Sequence, residues 1–151
     1  MKKFNLLLTA LLTTVSLQAF SGAFQTNCND IKMQFQKNLP KEVYSSMHWQ
    51  TTGKTCAMSL SVSGQTISKN KLDKNFISTE LKKLNWTAGP KEYEADSATG
   101  HQEALMHNHQ FAIISYNLLP PANACQNEPL SACTVPLQQW VYSFQLSIVK
   151  K

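Results

Sequence analysis

Apolar and polar side chains alternate at every second position in two stretches of the chain. In TCAMSLSVS, residues 55–63, the apolar positions begin at Cys56, and in WVYSFQLSIV, residues 140–149, they begin at Trp140. A two-residue period is typical of a strand with one buried and one solvated face. The turn TTGK precedes the first stretch and predicts a hairpin with VYSSMHWQ, residues 43–50. We expect the second stretch to be a central strand of the sheet.

Two other segments have apolar residues spaced for one face of a helix. Residues 27–40 begin at a predicted cap, Asn27, and end at Pro40, while residues 70–86 begin at a second predicted cap, Asn70. An aspartate three residues after each asparagine favours the positive end of the helix dipole. The apolar faces of the two predicted helices consist of Cys28, Ile31, Phe35 and Leu39 and of Phe76, Ile77, Leu81 and Leu84.

The rest of the chain consists of short runs separated by turn residues. KEYEAD, residues 91–96, alternates and is predicted to be extended, with its acidic side chains in solvent. DSATG, residues 96–100, is a turn by composition, and HQEALM and FAIISYNL are predicted strands. We therefore predict an α+β domain of two layers, in which two helices pack on one face of a mostly antiparallel sheet of about five to six strands.

The N-terminal residues 1–23 have the pattern of a secretory signal peptide. Lys2 and Lys3 precede an apolar run that Thr and Ser interrupt, and small residues follow at 21–23. We predict cleavage after Ala23, with Ala19 as the alternative, which leaves one α+β domain, residues 24–151. A membrane span needs about 20 predominantly apolar residues, which this run does not supply. We expect a secreted or periplasmic protein with no stable membrane anchor after cleavage.

Four cysteines lie after the predicted cleavage site, and an even number in an exported chain indicates disulfide bonds. No two of them have the close spacing of a structural zinc site. Four cysteines allow three pairings. We favour Cys28 with Cys56, which would tie the first helix to the sheet, and Cys125 with Cys133, which would close the loop QNEPLSA.

HQEALMHNHQ, residues 101–110, holds the candidates for a metal site. His101, Glu103, His107 and His109 share parity, so on one unbroken strand they would point to one side, and imidazole and carboxylate groups bind Zn²⁺ or Cu²⁺. The alternative is a hairpin that turns at residues 107–110, because Asn108 tolerates the left-handed conformations of tight turns. An unbroken strand here would be far longer than the usual length of about 5 to 6 residues, which favours the hairpin. We therefore expect no cofactor, with Zn²⁺ or Cu²⁺ as the alternative.

The charges of the chain argue against nucleic-acid binding. All 14 basic residues are lysines, and the net charge of +5 falls to +3 without Lys2 and Lys3. Arginine, which binds phosphate and guanine through two parallel hydrogen bonds, is absent from the sequence. We expect no sequence-specific nucleic-acid partner.

The motifs of the common enzyme classes are also missing from the sequence. It contains neither the G-x-S-x-G motif of serine hydrolases nor a glycine-rich nucleotide loop. Acidic residues that alternate, as in residues 92–96, are more typical of a solvated edge than of a catalytic pair. We predict a small exported bacterial protein that binds a protein partner and is not an enzyme. The alternatives are a metal-binding protein or small hydrolase that uses residues 101–109, and an inhibitor of a secreted enzyme.

Overall fold

The computed structural model describes residues 15–53, 55–122, 124–125 and 128–150. Within these residues the chain forms four helices and seven strands. The helices are α1 (Val15–Asn38), α2 (Lys41–Tyr44), α3 (Gly64–Lys69) and α4 (Phe76–Lys83). The strands are β1 (Met47–Thr52), β2 (Thr55–Ser63), β3 (Thr87–Ala88), β4 (Ala95–Asp96), β5 (Gly100–His107), β6 (Gln110–Leu119) and β7 (Val141–Lys150).

The strands form one antiparallel sheet in the order β1-β2-β7-β6-β5-β3, and β4 also pairs with β5. The predicted α+β class with disulfide bracing is confirmed. The strand number is slightly higher than predicted because β3 and β4 are two-residue strands. The C-terminal strand β7 lies between β2 and β6, so the predicted central position is confirmed.

The core lies between the helices and one face of the sheet. Alternate residues of β2 and β7 are buried, as their period predicts, and they contact the apolar faces of α1 and α4. Phe35 and Leu81 are completely buried in that layer. Of the eight apolar positions predicted for the helices, only Leu84 is half-buried, and the other seven are buried. Hydrophobic burial therefore fixes which face of each element points inward.

A buried carboxylate joins the two longest helices. Glu80 on α4 has a side chain only 8% exposed. It accepts hydrogen bonds from Gln34 Nε2 at 3.0 Å and Asn38 Nδ2 at 2.8 Å, both on α1, and from Lys83 Nζ at 2.5 Å. Burial on its own raises the pKa of Glu80, but these hydrogen bonds and the charge of Lys83 outweigh it and hold the pKa below its ordinary value.

Two disulfides brace the structure, in the pairing favoured from the sequence. The interlayer disulfide joins Cys28 on α1 to Cys56 on β2, and both residues are buried in the core. The loop disulfide joins Cys125 to Cys133, eight residues apart, outside the sheet. Disulfides form and persist in oxidising compartments, so both bonds indicate that the protein folds in such an environment.

The two predicted helix starts are wrong. Helix α1 continues through Asn27, which instead donates a hydrogen bond from Nδ2 to Gln110 Oε1 at 3.0 Å. The second helix, predicted for residues 70–86, is α4 and begins only at Phe76, and Asn70 instead ends the preceding helix α3. Ser63 caps α3 by accepting a hydrogen bond from the backbone N–H of Thr66 at 3.2 Å. An extended serine at the end of a strand provides a cap that the two-residue period of β2 concealed.

Two predicted extended segments are also partly wrong. The predicted strand at residues 43–50 begins only at Met47, because Pro40 starts the short helix α2 with its fixed φ of −54°. In residues 91–96, Lys91–Tyr93 form a 3₁₀ turn after Pro90, and only Ala95–Asp96 pair as a strand. Local proline geometry therefore overrides strand propensity at both positions.

Residues 1–14 of the predicted signal peptide lie outside the described residues. Residues 15–23 belong to helix α1. None of the described helices has the length and apolar character that crossing a membrane requires.

Candidate functional site

The segment that held the candidate metal ligands forms a tight hairpin. Strand β5 ends at His107 and β6 begins at Gln110, and these two residues pair directly. Asn108 and His109 connect them with positive φ values of 45° and 61°. A two-residue hairpin turn of type I′ requires positive φ at both positions, so the predicted turn is confirmed.

His107 is held by contacts within this hairpin region. Its Nδ1 lies 3.1 Å from the carbonyl oxygen of Asn85, and its Nε2 lies 2.8 Å from Nδ2 of Asn108. A carbonyl accepts and an amide nitrogen donates, so in this arrangement Nδ1 donates to Asn85 and Nε2 accepts from Asn108. The ring also lies 5.5 Å from the ring of Trp86, between centroids. His107 therefore connects the hairpin to the segment after α4 through Nδ1 and its ring, while Nε2 contacts the turn itself.

The other three candidate ligands do not converge on His107. His101, Glu103 and His107 lie on the same side of β5, but a strand rises about 3.3 Å per residue, which separates the first from the last by about 20 Å. His109 occupies the turn itself. In the part of the chain that the structure describes, no group of three His, Cys, Asp or Glu residues is placed to hold a metal ion.

His101 makes the other polar contact of this region. Its Nδ1 lies 2.7 Å from Oδ1 of Asp96, which joins β5 to β4, and its ring lies 6.1 Å from that of Tyr116. The Asp96 side chain is 87% exposed, so solvent screens the pair. The pair connects the two neighbouring strands β4 and β5.

A different feature appears on the side of the sheet opposite the helices. We define the open sheet face as the side chains of β1, β2, β7 and β6 that point away from the helices and that no other element covers. Its residues are half-buried or exposed, as expected for one solvated face of an antiparallel sheet. The open sheet face consists of His48, Gln50, Thr52, Thr55, Ala57, Ser59, Ser61, Ser63, Ile113, Ser115, Asn117, Leu119, Val141, Ser143, Gln145, Ser147 and Val149.

The strand register aligns these side chains in rows across the sheet. One row runs from His48 through Ser59 and Gln145 to Ser115, and the next runs from Gln50 to Ile113. A shallow depression of about 200 Å³ lies over the first two rows near β1. Hydroxyl and amide groups of Ser and Gln, which both donate and accept hydrogen bonds, share its lining with His48, Ala57, Met58 and Leu146.

On the same side of the sheet as the open sheet face, the segment that carries Gly89 and the 3₁₀ turn covers parts of β5 and β6. The backbone N–H of Gly89 donates to the carbonyl of Ala104 at 2.9 Å, and the ring of Tyr93 lies 6.2 Å from that of Phe111. A β-carbon at residue 89 would approach Ala104 within 3.1 Å, so glycine permits this close crossing. The open sheet face is therefore limited to the half of the sheet that contains β1.

The open sheet face carries no Lys, Asp or Glu, in a chain with 23 such residues. The lysines are instead concentrated on the helices and their connections: Lys32, Lys37, Lys41, Lys69, Lys71, Lys74, Lys82 and Lys83. The acidic residues 92, 94 and 96 lie near the β4 end of the sheet. The two faces of the protein thus differ in charge as well as in secondary structure.

Fold and surface together define a disulfide-braced α+β protein whose candidate site is an uncharged, hydrogen-bonding sheet face. No protein-family model, no curated protein and no solved structure matches this chain. The polar halves of the two alternating stretches were visible in the sequence. Their alignment into one surface depends on the register of β1, β2, β7 and β6, which sequence reasoning did not supply.

Proposed function

We propose that this is an exported, non-enzymatic module that binds a protein partner through the open sheet face. The supporting observation is the absence of charge from that face. The buried centres of protein interfaces are depleted of Lys, Glu and Asp, because burying an unpaired charge is costly. Serine is also depleted in protein interfaces in general, but serine and asparagine side chains supply adaptable hydrogen bonds on binding surfaces of the antibody type.

The proposed site of action is the periplasm or the cell exterior, which the protein reaches with cleavage of the predicted signal peptide, residues 1–23. The disulfides support an oxidising compartment. They also support a rigid binding surface, since the interlayer disulfide connects β2, which contributes to the open sheet face, to α1 behind it. A rigid surface loses less entropy when it binds than a flexible one.

Site-specific photo-crosslinking in the native cell tests this proposal. A benzoylphenylalanine at position 145, which is exposed on the open sheet face, should give one discrete protein adduct. The same group at position 79, exposed on α4, is the matched control and should give none. Ser59→Lys places a charge beside Gln145, its register partner, and should reduce the adduct severalfold.

Two outcomes would overturn the proposal. One is an equal set of adducts, or none, at positions 145 and 79. The other is a hydrolase activity of the purified protein that Glu103→Gln abolishes, which would favour chemistry at residues 101–109 instead. An adduct identified as a secreted protease or lysozyme would support the proposal and specify the partner as an enzyme that this protein inhibits.

A further inference from the structure

Strand β1 is an unprotected edge of the sheet. Among the described residues it pairs only with β2, and no other element contacts it extensively. Alternate residues of an edge strand direct their backbone N–H and C=O groups away from the sheet. Proteins usually protect such edges with charged residues or proline. The sequence of β1, MHWQTT, contains neither.

The side of this edge nearest the helices carries a cation that has no acidic partner. Lys32 on α1 lies 5.5 Å from the ring centroid of Trp49, and its Nζ donates to Thr51 Oγ1 at 3.3 Å. The ion pairs found among the described residues do not include Lys32. The indole N–H of Trp49 is buried beneath this contact, so Lys32 is the group that a partner strand can reach.

We infer that β1 accepts an extended strand from a partner protein, and that this strand carries a carboxylate beside Lys32 and Trp49. The backbone of the added strand would satisfy the outward groups of β1. Its side chains on the other side would extend the open sheet face. This inference rests on the proposed function and adds the mode of binding and the chemistry of the partner.

The size of the open sheet face supports a partner that reaches beyond it. One side chain on a sheet face occupies about 30 Å², from a strand spacing of about 4.8 Å and a same-face repeat of about 6.7 Å. The seventeen residues of the face therefore cover roughly 500 Å², whereas a stable interface buries about 800 Å² on each partner. Strand addition at β1 extends the contact at the one edge where the face is open.

Charge favours an acidic partner over a second copy of this chain. If β1 paired with itself about an axis perpendicular to the sheet, both helix layers would lie on the same side. The two Lys32 side chains would then approach each other beside the paired Trp49 residues. Like charges brought close together repel each other, and the chain without residues 1–23 still carries a net charge of +3.

Titration of ¹⁵N-labelled protein with two capped peptides tests the inference. The first is acetyl-Thr-Val-Glu-Val-Thr-Val-amide, and the second has Lys in place of Glu. The first should shift the amide signals of β1 and the indole N–H signal of Trp49, and it should bind up to about fivefold more tightly than the second, as expected for one partly exposed charge pair. Lys32→Gln should remove the difference between the peptides, while Lys82→Gln, exposed on α4, should retain it.

The inference is overturned if the two peptides bind equally, if the shifts lie away from β1, or if neither peptide binds up to its solubility limit. It is also overturned if the protein alone dimerises through β1, which the same spectra would show as concentration-dependent shifts. The titration needs no natural partner, so its failure is distinguishable from failure of the proposed function. If neither peptide binds but position 145 still crosslinks to a protein, strand addition at β1 is excluded and binding through the open sheet face is retained.

Discussion

Replacement of Glu80 should show how strongly the buried carboxylate joins α1 to α4. Glu80→Gln keeps the shape of the side chain but removes the charge and turns an N–H toward one of the three donors. Hydrogen bonds to charged groups contribute about 1.5 to 3 kcal/mol, and that of Lys83, which is 52% exposed, contributes least. We expect Glu80→Gln to lower the free energy of unfolding by about 1.5 kcal/mol and Glu80→Ala by about 3 kcal/mol, since alanine leaves two amide donors on α1 without an acceptor.

The pH dependence of the difference in stability between wild type and Glu80→Gln isolates the contribution of the Glu80 carboxylate. Because the pKa of Glu80 in the folded protein lies below its ordinary value of 4.5, the stabilisation is complete above that value and is lost as pH falls through the folded pKa. Other carboxyl groups titrate alike in both proteins, so the gap between wild type and Glu80→Gln should be largest near neutral pH and shrink on acidification.

Urea denaturation followed by circular dichroism, with the disulfides intact, measures both effects. Glu92→Gln is the matched control, because Glu92 is exposed, and it should stay within about 0.5 kcal/mol of wild type. If Glu80→Gln matches wild type at pH 7, or if the difference between them is unchanged at pH 3, the assignment of Glu80 as an ionised link between the helices is wrong.

Three further predictions concern the disulfides and the hairpin. Replacement of both cysteines by serine should lower the free energy of unfolding by about 4 kcal/mol for the interlayer disulfide and by about 2.5 kcal/mol for the loop disulfide, because the interlayer disulfide closes a longer loop. Thermal unfolding measures both losses, and a larger loss for the loop disulfide would contradict this order. His107→Ala should lower the free energy of unfolding by about 1 to 2 kcal/mol, because it removes two hydrogen bonds. His109→Gly should raise it by about 0.5 kcal/mol, because glycine adopts positive φ readily. Equal effects of the two variants in denaturant titrations would show that the two histidines do not differ in their contribution to the hairpin. Calorimetric titration of metal-free protein with Zn²⁺ or Cu²⁺ should reveal no site tighter than about 10 µM, and a stoichiometric submicromolar site that His107→Ala removes would show that the hairpin opens to bind metal.

The sequence by itself determined the layers and the inward faces of the protein. Two-residue alternation identified β2 and β7, and the spacing of Ile31, Phe35, Ile77 and Leu81 identified the buried sides of α1 and α4. The turn at Asn108 was also predictable, since a residue that tolerates positive φ is a local property. Hydrophobic periodicity and turn chemistry are encoded within a few residues, so they can be recognised without knowledge of the fold.

Tertiary structure alone decided the partners of polar groups and the alignment of the strands. The local sequence around Glu80 does not contain its two amide partners, because both amide donors come from α1. His107 was an alternative metal ligand in the sequence, and only the fold shows that its two nitrogens contact Asn85 and Asn108. The uncharged surface exists only because the register brings β1, β2, β7 and β6 side by side. Contacts between residues distant in sequence depend on how whole elements pack, and a pattern read within a single segment does not contain that information.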